Sequence, residues 1–353
     1  MSKSLPIVRY SKPSAPFLEL ERNFFDPVEQ DALVEESARL YDLYRAQPSR
    51  TVCKNCRAPI GPPTFVKQNI SYHICPGCTH LNGYHEDTEP FYRAFFSDDD
   101  GEHVASHYSA PDRKAFEQRV EAVYRAKLDF IWDVIAADSV DPKSLAYADI
   151  GTGLGHFIQA MLDRGITKAK GYEPARLLVN QGNELLGGDY LEELKIPDLD
   201  ALLPELEANV ITLIFVLEHL LDPRGTLEAM KRNPNTQYIL IAVPVHSPSC
   251  YFELLFPSVY ERHLSGHTHL YTDQSLRWLC DQVGLDVIGE WWFGADAMDL
   301  FRSGRTRMHQ LEQPEAGIRD WEQMMAPLID GIQETMDRNK IPSEVHFLAK
   351  VRR

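Results

Sequence analysis

Four cysteines in two pairs, Cys53-x-x-Cys56 and Cys75-x-x-Cys78, carry the most specific chemistry in this chain. Eighteen residues separate Cys56 from Cys75, inside the window of about 15–20 that lets two thiolate turns close on one tetrahedral ion. Four thiolates leave no open coordination place, so a structural zinc is expected, with redox thiols or an iron site as the alternatives. Pro76 and Gly77 shape the second turn, and Phe65 to Ile74 alternates as the strands of a zinc ribbon would. Cys250 and Cys280 stand alone and read as buried free thiols. A second set of residues suits proton transfer: His246, His263, His267 and His269 fall in one long segment. An imidazole titrates near pH 6.5, which fits it to take a proton from a hydroxyl or an acidic carbon. His267, preceded by the turn-permitting Gly266, is the preferred base, with His263 and His246 behind it. Glu218-His219 is a further pair, either catalytic or a buried pair that fixes a strand-to-helix turn.

These groups need elements to carry them. Leu145 to Ile150, then Gly151, Thr152, Gly153, Leu154 and Gly155, then Phe157 to Leu162, reads as strand, tight glycine loop and amphipathic helix. Glycines admit positive φ and close backbone approach to a ligand, and the helix beginning near His156 offers unpaired N–H groups to a carboxylate. A dinucleotide-binding loop would need a small residue where His156 stands, which weakens that reading. Asp149-x-Gly151-x-Gly153-x-Gly155 instead resembles the loop of class I S-adenosylmethionine (SAM) methyltransferases. The resemblance implies that Asp149, Gly151, Thr152, Gly153 and Gly155 shape the seat of the methionine part of SAM. It also implies that Glu173, ending the run Ala169 to Glu173, holds the ribose hydroxyls.

Asn209 to Phe215 is a continuous apolar run fit for a buried parallel strand, and Asp222 can cap a helix whose first residue is Pro223. Leu217-Glu218-His219-Leu220-x-Asp222-Pro223 is similar to a run shared by many small-molecule methyltransferases of this class. Tyr238 to Pro244 would be the fifth strand, with Leu285–Ile288 and Val345–Val351 as the closing antiparallel pair. In some quinone-pathway methyltransferases the Glu-His of this motif binds a divalent ion with a Glu three residues earlier. Phe215 stands there in this chain, and no catalytic metal is expected. The segment from His246 to Thr272 resembles that of bacterial sugar C- or O-methyltransferases with an N-terminal zinc module, although Arg262 interrupts their Glu-His pair. The implied function is methyl transfer from SAM to a small polar acceptor, a saccharide, nucleotide-linked sugar or related metabolite. The alternative is an RNA methyltransferase that reads its substrate through the ribbon, whose charges are Arg50, Lys54, Arg57 and Lys67.

The expected fold class is α/β, a Rossmann-like methyltransferase sheet with helices on both faces plus a small zinc ribbon. Its 353 residues divide into an N-terminal extension (1–50), the ribbon (51–85), a helical connector (86–142) and the methyltransferase domain (143–353) with an insertion near 295–342. Phe116, Val120, Val123, Tyr124, Leu128, Ile131, Val134 and Ile135 recur at helical spacing, so the connector should lie on the sheet and end near Asp138. Tyr84, Tyr92, Phe95, Phe96, His107 and Tyr108 read as core, with the lining of the substrate pocket by one or two of them as the alternative. The insertion, with Trp321, Met325 and Met336 at helical steps, is expected to cap the acceptor or to join two copies as a homodimer. A net charge of −16 argues against a nucleic-acid surface, and no run of about 18 apolar residues exists to span a membrane. Met1 to Arg9 lacks the apolar core of a signal peptide, so the thiols are expected to sit in a reducing cytoplasm.

Overall fold

The computed structural model describes residues 5–16, 34, 38–91, 112–256 and 267–353. In chain order the strands are β1 (Ile7–Tyr10), β2 (Phe65–Lys67), β3 (Ile70–Ile74), β4 (Leu81–Gly83), β5 (Tyr147–Ile150) and β6 (Ala169–Glu173). They continue with β7 (Leu191–Glu193), β8 (Val210–Ile214), β9 (Tyr238–Pro244), β10 (His269–Leu270), β11 (Leu285–Phe293) and β12 (Glu344–Val351). Eight of these form one sheet in the order β1-β11-β12-β9-β8-β5-β6-β7, in which only β12 runs against its neighbours. This is the Rossmann-like α/β architecture, a parallel sheet with helices on both faces and an antiparallel turn-back at one side.

Burial explains why these runs became strands. Every residue of β5 and β9 is buried, as expected of parallel strands covered on both faces. Along β9, Ile239, Ile241 and Val243 enter one core layer with Leu213, Leu227 and Phe347. Tyr238 and Leu240 enter the other with Phe130, Phe157 and Leu348. The connector helix covers the second layer. It runs Arg113–Arg119, widens into a π turn at Val120–Tyr124, and continues Arg125–Ala137, with Asp138 as its C-cap. Side-chain spacing foresaw the stripe but not the π turn, which lets Phe116 and Tyr124 both stack on the buried His156, at 4.5 and 5.3 Å between ring centroids.

Two additions to this sheet position the site. β1, from the N-terminal extension, adds in parallel to β11, and the following residues run on so that Ser14 N–H donates to Asp330 at 3.0 Å. The insertion between β11 and β12 is three helices, Asp296–Gln310, Glu315–Met325 and Ile329–Arg338, with Pro327 in the turn between the last two. They pack on each other through Ala297, Met298, Phe301 and Ile329.

Candidate active site

β5 ends at Ile150 and the chain turns through Gly151 (φ 69°), Gly153 (φ 57°) and Gly155 (φ 81°) into the helix His156–Asp163. The three positive φ values explain the alternation of glycines. Two of them do different work. A Cβ at Gly151 would lie 2.4 Å from Val216 Cγ2, so this glycine lets the loop press against the end of β8; a Cβ at Gly153 would meet nothing within 4 Å. Gly153 therefore presents bare backbone to open space, the side from which a ligand can reach it. Glu173 stands beside it. Its carboxylate accepts from the Gly153 N–H at 2.9 Å and the Ala175 N–H at 3.1 Å, and burial raises its pKa against the pull of those bonds. Behind the loop, buried Asp149 accepts from the Thr212 hydroxyl at 2.5 Å, and burial lifts its carboxyl to about 6.

A pocket of about 250 Å3 opens past the carboxyl ends of β8 and β9, where ligands of open α/β sheets bind. Phe215, Glu218, His219, Pro244 and His267 form one side; Ala295, Met298, Ile329 and Gln333 of the insertion and Lys12 of the N-terminal extension form the other. Phe215 holds φ at 57°, a strained conformation for an aromatic residue, and it carries the chain from β8 into the short turn Leu217–His219. His219 and His267 stack with centroids 5.1 Å apart. The ligand atoms of Glu218, His219 and His267 all lie within 4.8 Å of one another. Burial pushes the Glu218 carboxyl up to about 8, and the charge of Glu344 adds to the rise. Glu344, at the same pocket, is treated differently: burial would push its carboxyl up too, but Lys127 at 3.1 Å and His346 at 2.7 Å hold it well below the usual carboxylate range.

The four cysteines meet within the ribbon. Their sulfurs all lie within 4.8 Å of one another, Cys53 to Cys78 at 3.7 Å and Cys56 to Cys75 at 3.5 Å. The residue after each pair, Arg57 and Thr79, takes a positive φ (65° and 61°), so both halves of the cluster turn alike. Trp278 of the helix Asp273–Val283 packs against the cluster. The ribbon is docked on the sheet domain by β10, which pairs with β4 (His269 opposite Asn82, Leu270 opposite Leu81) and makes the order β10-β4-β3-β2. Side chains lock the seam. His269 meets His80 at 3.1 Å and Lys54 at 2.8 Å, Asn55 donates to the Ser275 carbonyl at 3.0 Å, and Thr268 donates to Asp87.

The structure thus brings Glu218, His219 and His267 together at the pocket. His246 is not among the pocket-lining residues; its ring lies edge-on to Tyr251 at 5.5 Å. His269 is buried in the ribbon seam, and His263 lies outside the described residues, as do Tyr92, Phe95, Phe96, His107 and Tyr108. The sequence reading missed Lys12, Gln333, Ser343 and Glu344, which reach the pocket from remote parts of the chain. Only Glu344 carried a signal, as an acid at the start of the strand Glu344–Val351.

Residues 116–290 match the family model described as a methyltransferase domain, and the central domain is that of a SAM-dependent methyltransferase. No curated protein matches the chain significantly. Similar solved structures include the plantazolicin methyltransferase BamL with a desmethyl-plantazolicin analogue and S-adenosylhomocysteine (13 % identity, TM-score 0.47, 74 % of this chain and 94 % of that one). A SAM-dependent methyltransferase from Archaeoglobus fulgidus gives 16 % identity and TM-score 0.40 over 70 % of this chain and 99 % of its own. The magnesium protoporphyrin IX methyltransferase of Synechocystis, with bound S-adenosylhomocysteine, gives 12 %, 0.43, 75 % and 100 %. Among the described residues no helix is long and apolar enough to cross a membrane.

Proposed function

We propose that the chain transfers the methyl group of SAM to a small polar acceptor, a saccharide, nucleotide-linked sugar or related metabolite, held in the pocket between β8, β9 and the insertion. One observation carries this reading: the open face of Gly153, with Glu173 beside it, lies at the carboxyl ends of the strands, as does the pocket lined by Glu218, His219 and His267. When bound, SAM supplies a methyl group already activated by its sulfonium. The chain supplies the rest. Gly153 and Glu173 hold the cofactor, and the insertion helices with Lys12 wall the pocket opposite His219, so that acceptor and methyl are aligned; alignment of this kind contributes about 7–11 kcal/mol. Glu218, His219 and His267 line the pocket where the acceptor's proton must leave. The four cysteines hold a structural zinc that stiffens the ribbon, in keeping with their closed donor set.

Nothing in the ribbon favours the RNA reading. Arg50 is 6 % exposed and paired with Glu86 and Asp87, Lys54 pairs with Asp87, and Lys67 is 4 % exposed and bonded to Tyr41 and Glu253; among the ribbon's four cations only Arg57 is exposed. Calorimetry with SAM and S-adenosylhomocysteine tests the shared core, since absence of binding by both ends either reading. Methyl transfer to nucleotide sugars is then expected, and salt-dependent binding of tRNA would point to RNA instead.

A further inference from the structure

We infer that Glu218, His219 and His267 form a second metal site, which takes a divalent first-row transition ion and offers its open coordination positions to the acceptor pocket. Three features on different segments carry this. The first is the donor set, two imidazoles and one carboxylate with ligand atoms all within 4.8 Å of one another, a combination that suits such ions and leaves places free. The second is that the Glu218 side chain is wholly buried, yet neither of its oxygens accepts a hydrogen bond from another residue. A carboxylate in that condition lacks the partners that make burial tolerable, and a cation would supply them. The third is the contrast inside the same pocket. Glu344 is satisfied by Lys127 at 3.1 Å and His346 at 2.7 Å, whereas Glu218 shares neither of these partners.

Position 215 carries no acid, and the third ligand comes from a different part of the fold. His267 arrives from the segment after β9, two residues before β10, which the ribbon holds in place through β4. The zinc ribbon thereby positions one ligand of the second ion. Pocket walls on the opposite side, Lys12, Gln333 and Ser343, leave room for an acceptor that offers a pair of neighbouring oxygens to the ion. The identity of that acceptor rests on the function proposed above; binding of the ion does not.

The test uses the full chain with zinc already held by the cysteines. Mn2+ titration followed by electron paramagnetic resonance, and Co2+ titration followed by visible absorption, should each show one further ion per chain. Glu218→Gln and His267→Ala should each weaken that binding at least about tenfold, while S-adenosylhomocysteine affinity and the cysteine-held zinc stay unchanged, which shows that the variants fold. His309→Ala, remote from the pocket, should bind like the parent chain. Failure of both ions to bind the parent chain, or undiminished binding in both variants, overturns the site. Methyl transfer that continues in the parent chain without a second ion also overturns it and leaves the proposed function standing.

Discussion

At Cys53, Cys56, Cys75 and Cys78 the donors close on one another under Trp278, whereas Glu218, His219 and His267 line a pocket of about 250 Å3 and leave one side open. The two clusters share metal-ligating side chains but differ in what surrounds them. Four thiolates satisfy an ion completely, so the cysteine cluster can only hold chain segments together. Two imidazoles and a carboxylate cannot, and their remaining positions face the place where an acceptor would sit. The seam between β4 and β10 joins the two, since the strand that docks the ribbon follows directly on His267. On the proposed reading, architecture and chemistry fall to different clusters that are coupled through one short strand.

The difference can be broken at either end. Cys53→Ser should have the largest effect: zinc content falls from about one per chain, the ribbon loosens, and with β10 unsupported methyl transfer is lost; metal analysis and a lowered melting temperature check this. His267→Asn should spare the fold and the cofactor while lowering kcat by ~10²–10⁴, measured beside S-adenosylhomocysteine affinity. Glu173→Ala sharpens the comparison from the cofactor side. It should weaken SAM by ~1.5–3 kcal/mol in calorimetry with little effect on the acceptor's KM, because the acid loses its bonds to ribose and to the Gly153 N–H. Arg57→Ala should do least. The side chain is exposed on a ribbon that serves docking, so stability should stay within about 0.5 kcal/mol of the parent chain and turnover should not change.

What could be read from the chain beforehand was local. The cysteine spacing, the alternate glycines, the Asp222 cap before Pro223 and the all-apolar run of β9 each occupy a few consecutive residues, and each structure follows from its own stretch. The Asp222 carboxylate accepts from the Gly225 N–H at 3.0 Å, as the cap signal implied. What could not be read was remote pairing. β1 adds to β11 across nearly the whole length of the chain, and β10 is only two residues long, too short to carry a period. Lys12, Gln333 and Ser343 sit in stretches whose composition says only strand edge or helix, and they become pocket walls because the topology folds those stretches over β8 and β9. The roles of Gly151 and Gly153 likewise separate only when Val216 is seen against the first and open space against the second.

The most direct measurement is a crystal structure of the chain with S-adenosylhomocysteine. The ribose is expected against Glu173, the amino-acid part over Gly153, and the sulfur at the mouth of the pocket between Phe215 and His267. A nucleoside bound elsewhere, or a sulfur directed away from that pocket, would contradict this.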